Sequence, residues 1–132
     1  MSQTAPAPIQ AWHAYMENPD PGRLGALLAE DVVFESPVVH TPQVGKAITT
    51  IYLLAAAQVL GVASFRYREA WYGESSAVLE FECVVEGITI NGVDIIHWNA
   101  EGLINHFKVM VRPLKAINLL HQLMGARLAR PA

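Results

Sequence analysis

Val93-Asp94-Ile95-Ile96-His97-Trp98-Asn99-Ala100-Glu101-Gly102-Leu103-Ile104-Asn105-His106-Phe107-Lys108-Val109-Met110-Val111-Arg112-Pro113 is the stretch from which the fold is read. It has the pattern of two strands joined by a tight turn over Asn99 to Gly102. Side chains alternate faces along a strand, so Asp94, Ile96 and Trp98 share one face and Ile95, His97 and Asn99 the other. On the returning strand Leu103, Asn105, Phe107, Val109 and Val111 alternate with Ile104, His106, Lys108, Met110 and Arg112. The first of these sets is the better interior, because its partner carries Lys108 and Arg112. A turn at Asn99 to Gly102 then puts Asp94 on the face of Phe107 and Val109, as an inward acid in apolar surroundings.

Immediately before this hairpin the chain is rich in strand formers. Ser64 to Tyr72, a Gly73-Glu74-Ser75-Ser76 turn and Ala77 to Glu86 read as a meander, with Leu79, Phe81, Cys83 and Val85 on the inner face and Glu80, Glu82, Val84 and Glu86 outside. Gly87 and Asn91-Gly92 set off Ile88-Thr89-Ile90 as a short piece at a bulge or turn. After Pro113, Leu114 to Arg130 reads as a terminal helix with Leu114, Ile117, Leu120, Met124 and Leu128 as its stripe.

The first half is helical. Ile9 to Glu17 carries Ile9, Trp12, Tyr15 and Met16 at helical spacing and is broken by Asn18-Pro19-Asp20-Pro21-Gly22. Asp20 or a neighbour caps a second helix over Arg23 to Ala29. A short strand, Val32 to Ser36, and a loop, Val38 to Gly45, precede a third helix, Lys46 to Leu60, with Ile48, Ile51, Tyr52, Ala55 and Val59 at helical spacing. Helices first and antiparallel strands second give an α+β layout with the helices on one face of a curved sheet. Residues 1–8 read as a flexible lead-in and 9–130 as one domain.

Composition narrows the function classes. The chain has 132 residues, 52% apolar and 16% charged, so it is one domain's worth with more apolar surface than a small core uses. A cavity lining or subunit interface would absorb the excess. The net charge of −3 gives no basic footprint for nucleic acid or an anionic membrane, and no apolar run suggests a membrane span. The start lacks the basic and apolar regions of a signal peptide, and with a single cysteine, Cys83, this favours a cytoplasmic protein. Cys83 itself reads as a small buried hydrophobe.

Asp20 to Pro37, Gly45 leading into a helix with Tyr52, and Asp94 through Gly102 to Arg112-Pro113 resemble the nuclear transport factor 2-like superfamily. The nearest flavour is the SnoaL-like group with ketosteroid isomerases and polyketide cyclases. The resemblance runs from about Ile9 to Met124. It implies a conical, cystatin-like α+β barrel, in which a curved antiparallel sheet wraps the N-terminal helices around one apolar pocket, with a C-terminal helix. In this likeness Asp94 falls where ketosteroid isomerases keep a protonated acid, itself a standard example of a carboxyl group held neutral by an apolar site. The isomerase's general-base aspartate corresponds to Ser36, and its oxyanion-hole tyrosine to Trp12, an N–H donor without a phenol.

Two readings of Asp94 stand side by side: an acid tuned by burial and directed at a ligand, or a structural acid bonded to Trp12, Tyr52 or the backbone. Trp12, Tyr15, Phe34, Ser36, Tyr52, Phe81, Ile96, Trp98, Phe107 and Val109 are the expected ligand-binding lining, and Asp94 is the candidate catalytic residue. The expected function is binding of a small apolar molecule in a pocket centred on Asp94. The alternatives are an isomerase, cyclase or hydrolase acting on a steroid-, polyketide- or terpenoid-like substrate, and a non-catalytic structural dimer. No metal or cofactor is expected. His97 and His106 beside Glu80 or Glu82 do not match a zinc spacing. A homodimer through the outer sheet face is expected, using Glu80, Glu82, His97, His106, Lys108 and Met110, with apolar Val84, Ile95 and Ile104 between acidic and basic rows.

Overall fold

The computed structural model describes residues 4–129. Residues 1–3 of the expected lead-in and Arg130 at the expected domain end lie outside them. Helix α1 (Ala7–Glu17) starts within the expected lead-in, with Pro6 at its N-cap and Pro8 in its first turn, where a missing N–H costs nothing. It buries Ile9, Trp12 and Tyr15, one turn apart along one face. Asp20 caps α2 (Pro21–Leu27) by accepting from the Arg23 backbone N–H at 2.9 Å. Strand β1 (Leu28–Glu35) follows at once. Leu28 and Ala29, expected to end the second helix, instead open β1, and both are buried. The expected loop Val38 to Gly45 contains a two-residue strand, β2 (Gln43–Val44), which pairs with Val33 and Phe34.

Helix α3 (Lys46–Leu60) has the expected bounds but presents a different face. Its sequence is apolar on nearly every side, so spacing does not orient it; Thr49, Leu53, Ala55, Ala57 and Val59 are buried, while Ile51 is 52% exposed. Four long strands follow: β3 (Arg66–Tyr72), β4 (Ser76–Val85), β5 (Ile88–Trp98) and β6 (Ile104–Arg112). The sheet order is β2-β1-β6-β5-β4-β3, so it is open. Its pairs are antiparallel except β1 with β6, which is parallel, whereas the sequence suggested an antiparallel sheet. Helix α4 (Leu114–Leu128) returns over α3 and the inner side of β5 and β6, burying Ala116, Leu119, Leu120 and Met124. Leu114, placed in its apolar stripe from spacing, is 72% exposed at the first position.

Two local features set the sheet's faces. Ile88 to Ile90 is not a separate piece: β5 runs through Asn91-Gly92 unbroken. A Cβ on Gly92 would lie 2.6 Å from both the Phe81 ring and the Met110 carbonyl, so glycine here makes room for a ring from the neighbouring strand and does not make a turn. At the other end, Asp94 pairs with Val109 and Ile96 with Phe107, as alternation requires, but a bulge brings Trp98 opposite Ile104. The extra residue, Asn105, reverses the alternation. Ile104, expected on the outer face, is therefore buried inside.

The core lies on the inner side in two clusters. Ile9, Trp12, Leu24, Leu28, Phe34, Leu79, Ile96 and Phe107 form one cluster and Phe81, Cys83, Ile90, Leu119 and Leu120 another. Each fully buried large side chain contributes about 1.5–3 kcal/mol relative to exposure. Among the described residues no helix is long and apolar enough to cross a membrane.

Candidate functional site

Between the two clusters lies a cavity of about 60 Å³. Of the residues expected to line it, Trp12, Phe34, Ser36, Phe81, Phe107 and Val109 do so, together with Asp94. Helix α1 adds Met16, α3 adds Leu53 and Leu60, and α4 closes one side with Leu120 and Met124. Phe65, just before β3, and Tyr67 within it also line the cavity and were not in the sequence-derived set.

Four expected lining residues lie outside the cavity wall. Tyr15 stands behind Trp12, with ring centroids 5.2 Å apart, and Tyr52 behind Phe34 at 5.7 Å. Ile96 is fully buried in core packing, and Trp98, beyond the β6 bulge, packs on the same cluster while partly buried. The Tyr15 hydroxyl is buried with no partner among the described residues, and burial pushes its pKa up to about 12.

The cavity's polar feature is a chain of three side chains. Trp12 Nε1 donates to the Tyr67 hydroxyl at 2.8 Å, and that hydroxyl donates to Asp94 Oδ2 at 2.7 Å. Trp12 thus reaches Asp94 through Tyr67 and does not bond it directly, and Tyr52 takes no part. Asp94 is 6% exposed, and among the described residues no lysine, arginine or histidine lines the cavity. Burial pushes its carboxyl up to about 7, opposed by the Tyr67 hydrogen bond, which favours the charged form. Burial first, and then the Asp94 charge, hold Tyr67 well above the usual tyrosine range. Near neutral pH the site therefore contains an acid that is readily either neutral or ionised beside a phenol that stays protonated.

Ser36 accepts from the Val38 backbone N–H at 3.1 Å, a local turn contact at the cavity wall. His40 is exposed and makes no contact with it that resembles a nucleophile–base pair. His13 packs edge-on against Tyr67, with centroids 5.1 Å apart, on the side of an external recess that shares Met16, Phe65 and Tyr67 with the cavity. Burial lowers the His13 pKa, against a raising effect of Glu17.

On the outer face His97 and His106 are cross-strand neighbours, with centroids 5.4 Å apart. His106 Nε2 lies 2.6 Å from Glu35 Oε2, and Lys108 3.7 Å from the same oxygen. The hydrogen bond with His106 is the main influence holding the Glu35 carboxyl below its ordinary value. Among the described residues no three His, Cys, Asp or Glu side chains are grouped to hold a metal.

Comparison with solved structures places this geometry among known proteins. The steroid delta-isomerase of Pseudomonas aeruginosa is 34% identical and superposes with a TM-score of 0.88, covering 93% of this chain and 90% of its own. An uncharacterised protein with a cystatin-like fold from Silicibacter pomeroyi is also 34% identical, with a TM-score of 0.86 over 92% of this chain and 85% of its own. An NTF2-like protein of unknown function from Mesorhizobium loti, 19% identical, shares the fold with a TM-score of 0.69 over 80% of this chain and 88% of its own. No curated protein matches the sequence. The model of the SnoaL-like domain matches residues 9–107, and the chain belongs to that family.

Proposed function

We propose that the protein binds a small, mostly apolar molecule in the cavity, with Asp94 as the hydrogen-bonding centre. The observation that carries this is a buried carboxyl facing an apolar cavity that, among the described residues, no cationic side chain lines. A structural acid would have its oxygens satisfied by the protein. Among the described residues Asp94 receives one side-chain bond, at Oδ2. When neutral, it offers a proton to a ligand oxygen from Oδ1.

At about 60 Å³ the cavity holds the equivalent of roughly four waters and falls well below the roughly 300 Å³ of ordinary ligand pockets. A larger ligand requires side chains to move, and Met16 and Met124, flexible thioethers in the wall, are the ones best able to yield. The test is an NMR titration with small cyclic ketones from pH 5 to 9. Binding that perturbs cavity methyls, weakens as pH rises through 7 and is lost in Asp94→Leu supports the reading; binding indifferent to both sinks it.

A second reading is catalytic, favoured by the 34% identity to a steroid delta-isomerase. In this reading Asp94 acts as acid or hydrogen-bond donor to a developing oxyanion, its pKa near the working pH being suited to proton transfer. Among the described residues no second proton-shuttling side chain faces the cavity: Ser36 is tied to Val38, and Tyr67 remains protonated. Any turnover therefore rests on Asp94.

We also propose that the outer sheet face pairs with a second copy. Val84 and Met110 stand 46% and 52% exposed there. The charged rows contribute less than their sequence suggested. Arg68 pairs with Glu82, Asn91 donates to Glu80, and His106 and Lys108 meet Glu35 within the chain. The apolar side chains drive the pairing.

A further inference from the structure

We infer that Tyr67 is the positioning residue of this site, and that Trp12 acts on Asp94 only through it. The inference rests on the reading of Asp94 as the ligand-facing group. An indole N–H donates and never accepts. The 2.8 Å contact therefore leaves the Tyr67 oxygen as acceptor from Trp12, and its single O–H is committed to Asp94 Oδ2, 2.7 Å away. The order of donors has one direction, from Trp12 through Tyr67 to Asp94. With Oδ2 engaged as acceptor, the proton of the neutral acid sits on Oδ1. The chain of bonds thus leaves Oδ1 as the donor available to a bound molecule.

Among the described residues no ionisable group besides Asp94 and Tyr67 lines the cavity. The walls supplied by α1, α3, α4, β4 and β6 are apolar, and Ser36 after β1 is uncharged. Tyr67, from β3, is the titratable neighbour. His13 on α1 touches the ring of Tyr67 and not its hydroxyl, with Glu17 beside it. The hydrogen bond from Tyr67 is also the influence that opposes burial at Asp94. Removing it leaves burial unopposed.

The experiment is a carbon-detected NMR titration of the Asp94 carboxyl in the wild type, Tyr67→Phe, Trp12→Phe and the double variant. Tyr67→Phe should raise the Asp94 midpoint by about one to two pH units, the worth of one hydrogen bond to a charged group. Trp12→Phe, which leaves Tyr67 a weaker donor, should raise it by less. Placed on Tyr67→Phe, the Trp12→Phe change should add nothing, because its effect runs through the missing hydroxyl. A midpoint unmoved or lowered in Tyr67→Phe overturns the inference, as does a Trp12→Phe shift that survives in the double variant. If one single variant fails to fold, the direction of shift in the other decides. Failure of the underlying reading looks different: a wild-type midpoint in the ordinary aspartate range.

Discussion

The Tyr67 hydroxyl donates to Asp94 at 2.7 Å although the two residues sit on strands β3 and β5, which are not neighbours. Strand β4 lies between them, its Phe81 paired with Tyr67 on one side and with Gly92 on the other. The curved sheet and the glycine beneath the Phe81 ring let a β3 phenol reach an acid two strands away. The same arrangement buries the acid and leaves it facing the cavity.

Stability should fall as pH rises through the acid-to-neutral range. Asp94 has a folded pKa of about 7 against 3.8 for an ordinary aspartate, so between these values the native state holds a proton that the unfolded chain has lost. The native state is favoured below this window, and the advantage disappears as pH approaches 7. The full difference is roughly 4 kcal/mol. Asp94→Asn, neutral at every pH and still able to accept from Tyr67, should flatten this slope and be more stable than the wild type at pH 8. Urea unfolding at pH 5 and pH 8 measures both, and an equal slope in the two proteins contradicts the assignment.

Gly92→Ala should destabilise the fold by about 1–3 kcal/mol, the cost of overpacking. The added methyl meets the Phe81 ring and a backbone carbonyl of β6, neither of which can move freely. Chemical denaturation of the variant gives the value directly; a change within roughly 0.5 kcal/mol, the scatter of neutral surface changes, contradicts the close packing.

Asp20→Ala should cost about 1 kcal/mol, because its carboxyl accepts the Arg23 N–H at the start of a seven-residue helix. Asp20→Asn, which keeps an acceptor, should recover most of the loss. Thermal unfolding of the pair checks the cap.

For the proposed dimer, sedimentation equilibrium should give twice the chain mass, and Met110→Lys should shift the population toward monomer by placing a charge in the paired face. A monomer mass for the wild type at tens of micromolar removes the proposal.

Much of the architecture was legible in residue patterns, and the failures have local causes. Asp94 could be turned inward from alternation alone because Phe107, Val109 and Lys108 oppose it in an uninterrupted register. Ile104 could not, since the bulge at Asn105 has no mark in composition. Helix α3 was bounded correctly by Gly45 and Gly61, but its nearly uniform apolarity hid which side packs inward. Tyr67 was missed because its partners are 55 and 27 residues away. A signal was present: Tyr67 lies between Arg66 and Arg68 and alternates with Phe65, so it shares the inner face with another aromatic ring. Tyr15 and Tyr52 were overvalued for the opposite reason, since helical spacing puts a residue in the core without saying whether it is in the first layer around a cavity.

The most direct measurement is the titration of the Asp94 carboxyl in the unmodified protein by carbon-detected NMR. A midpoint near the value of about 7 given by its burial is the expected result. A midpoint close to the ordinary 3.8 would mean a solvated carboxylate and contradict the cavity-facing neutral acid on which the proposed function depends.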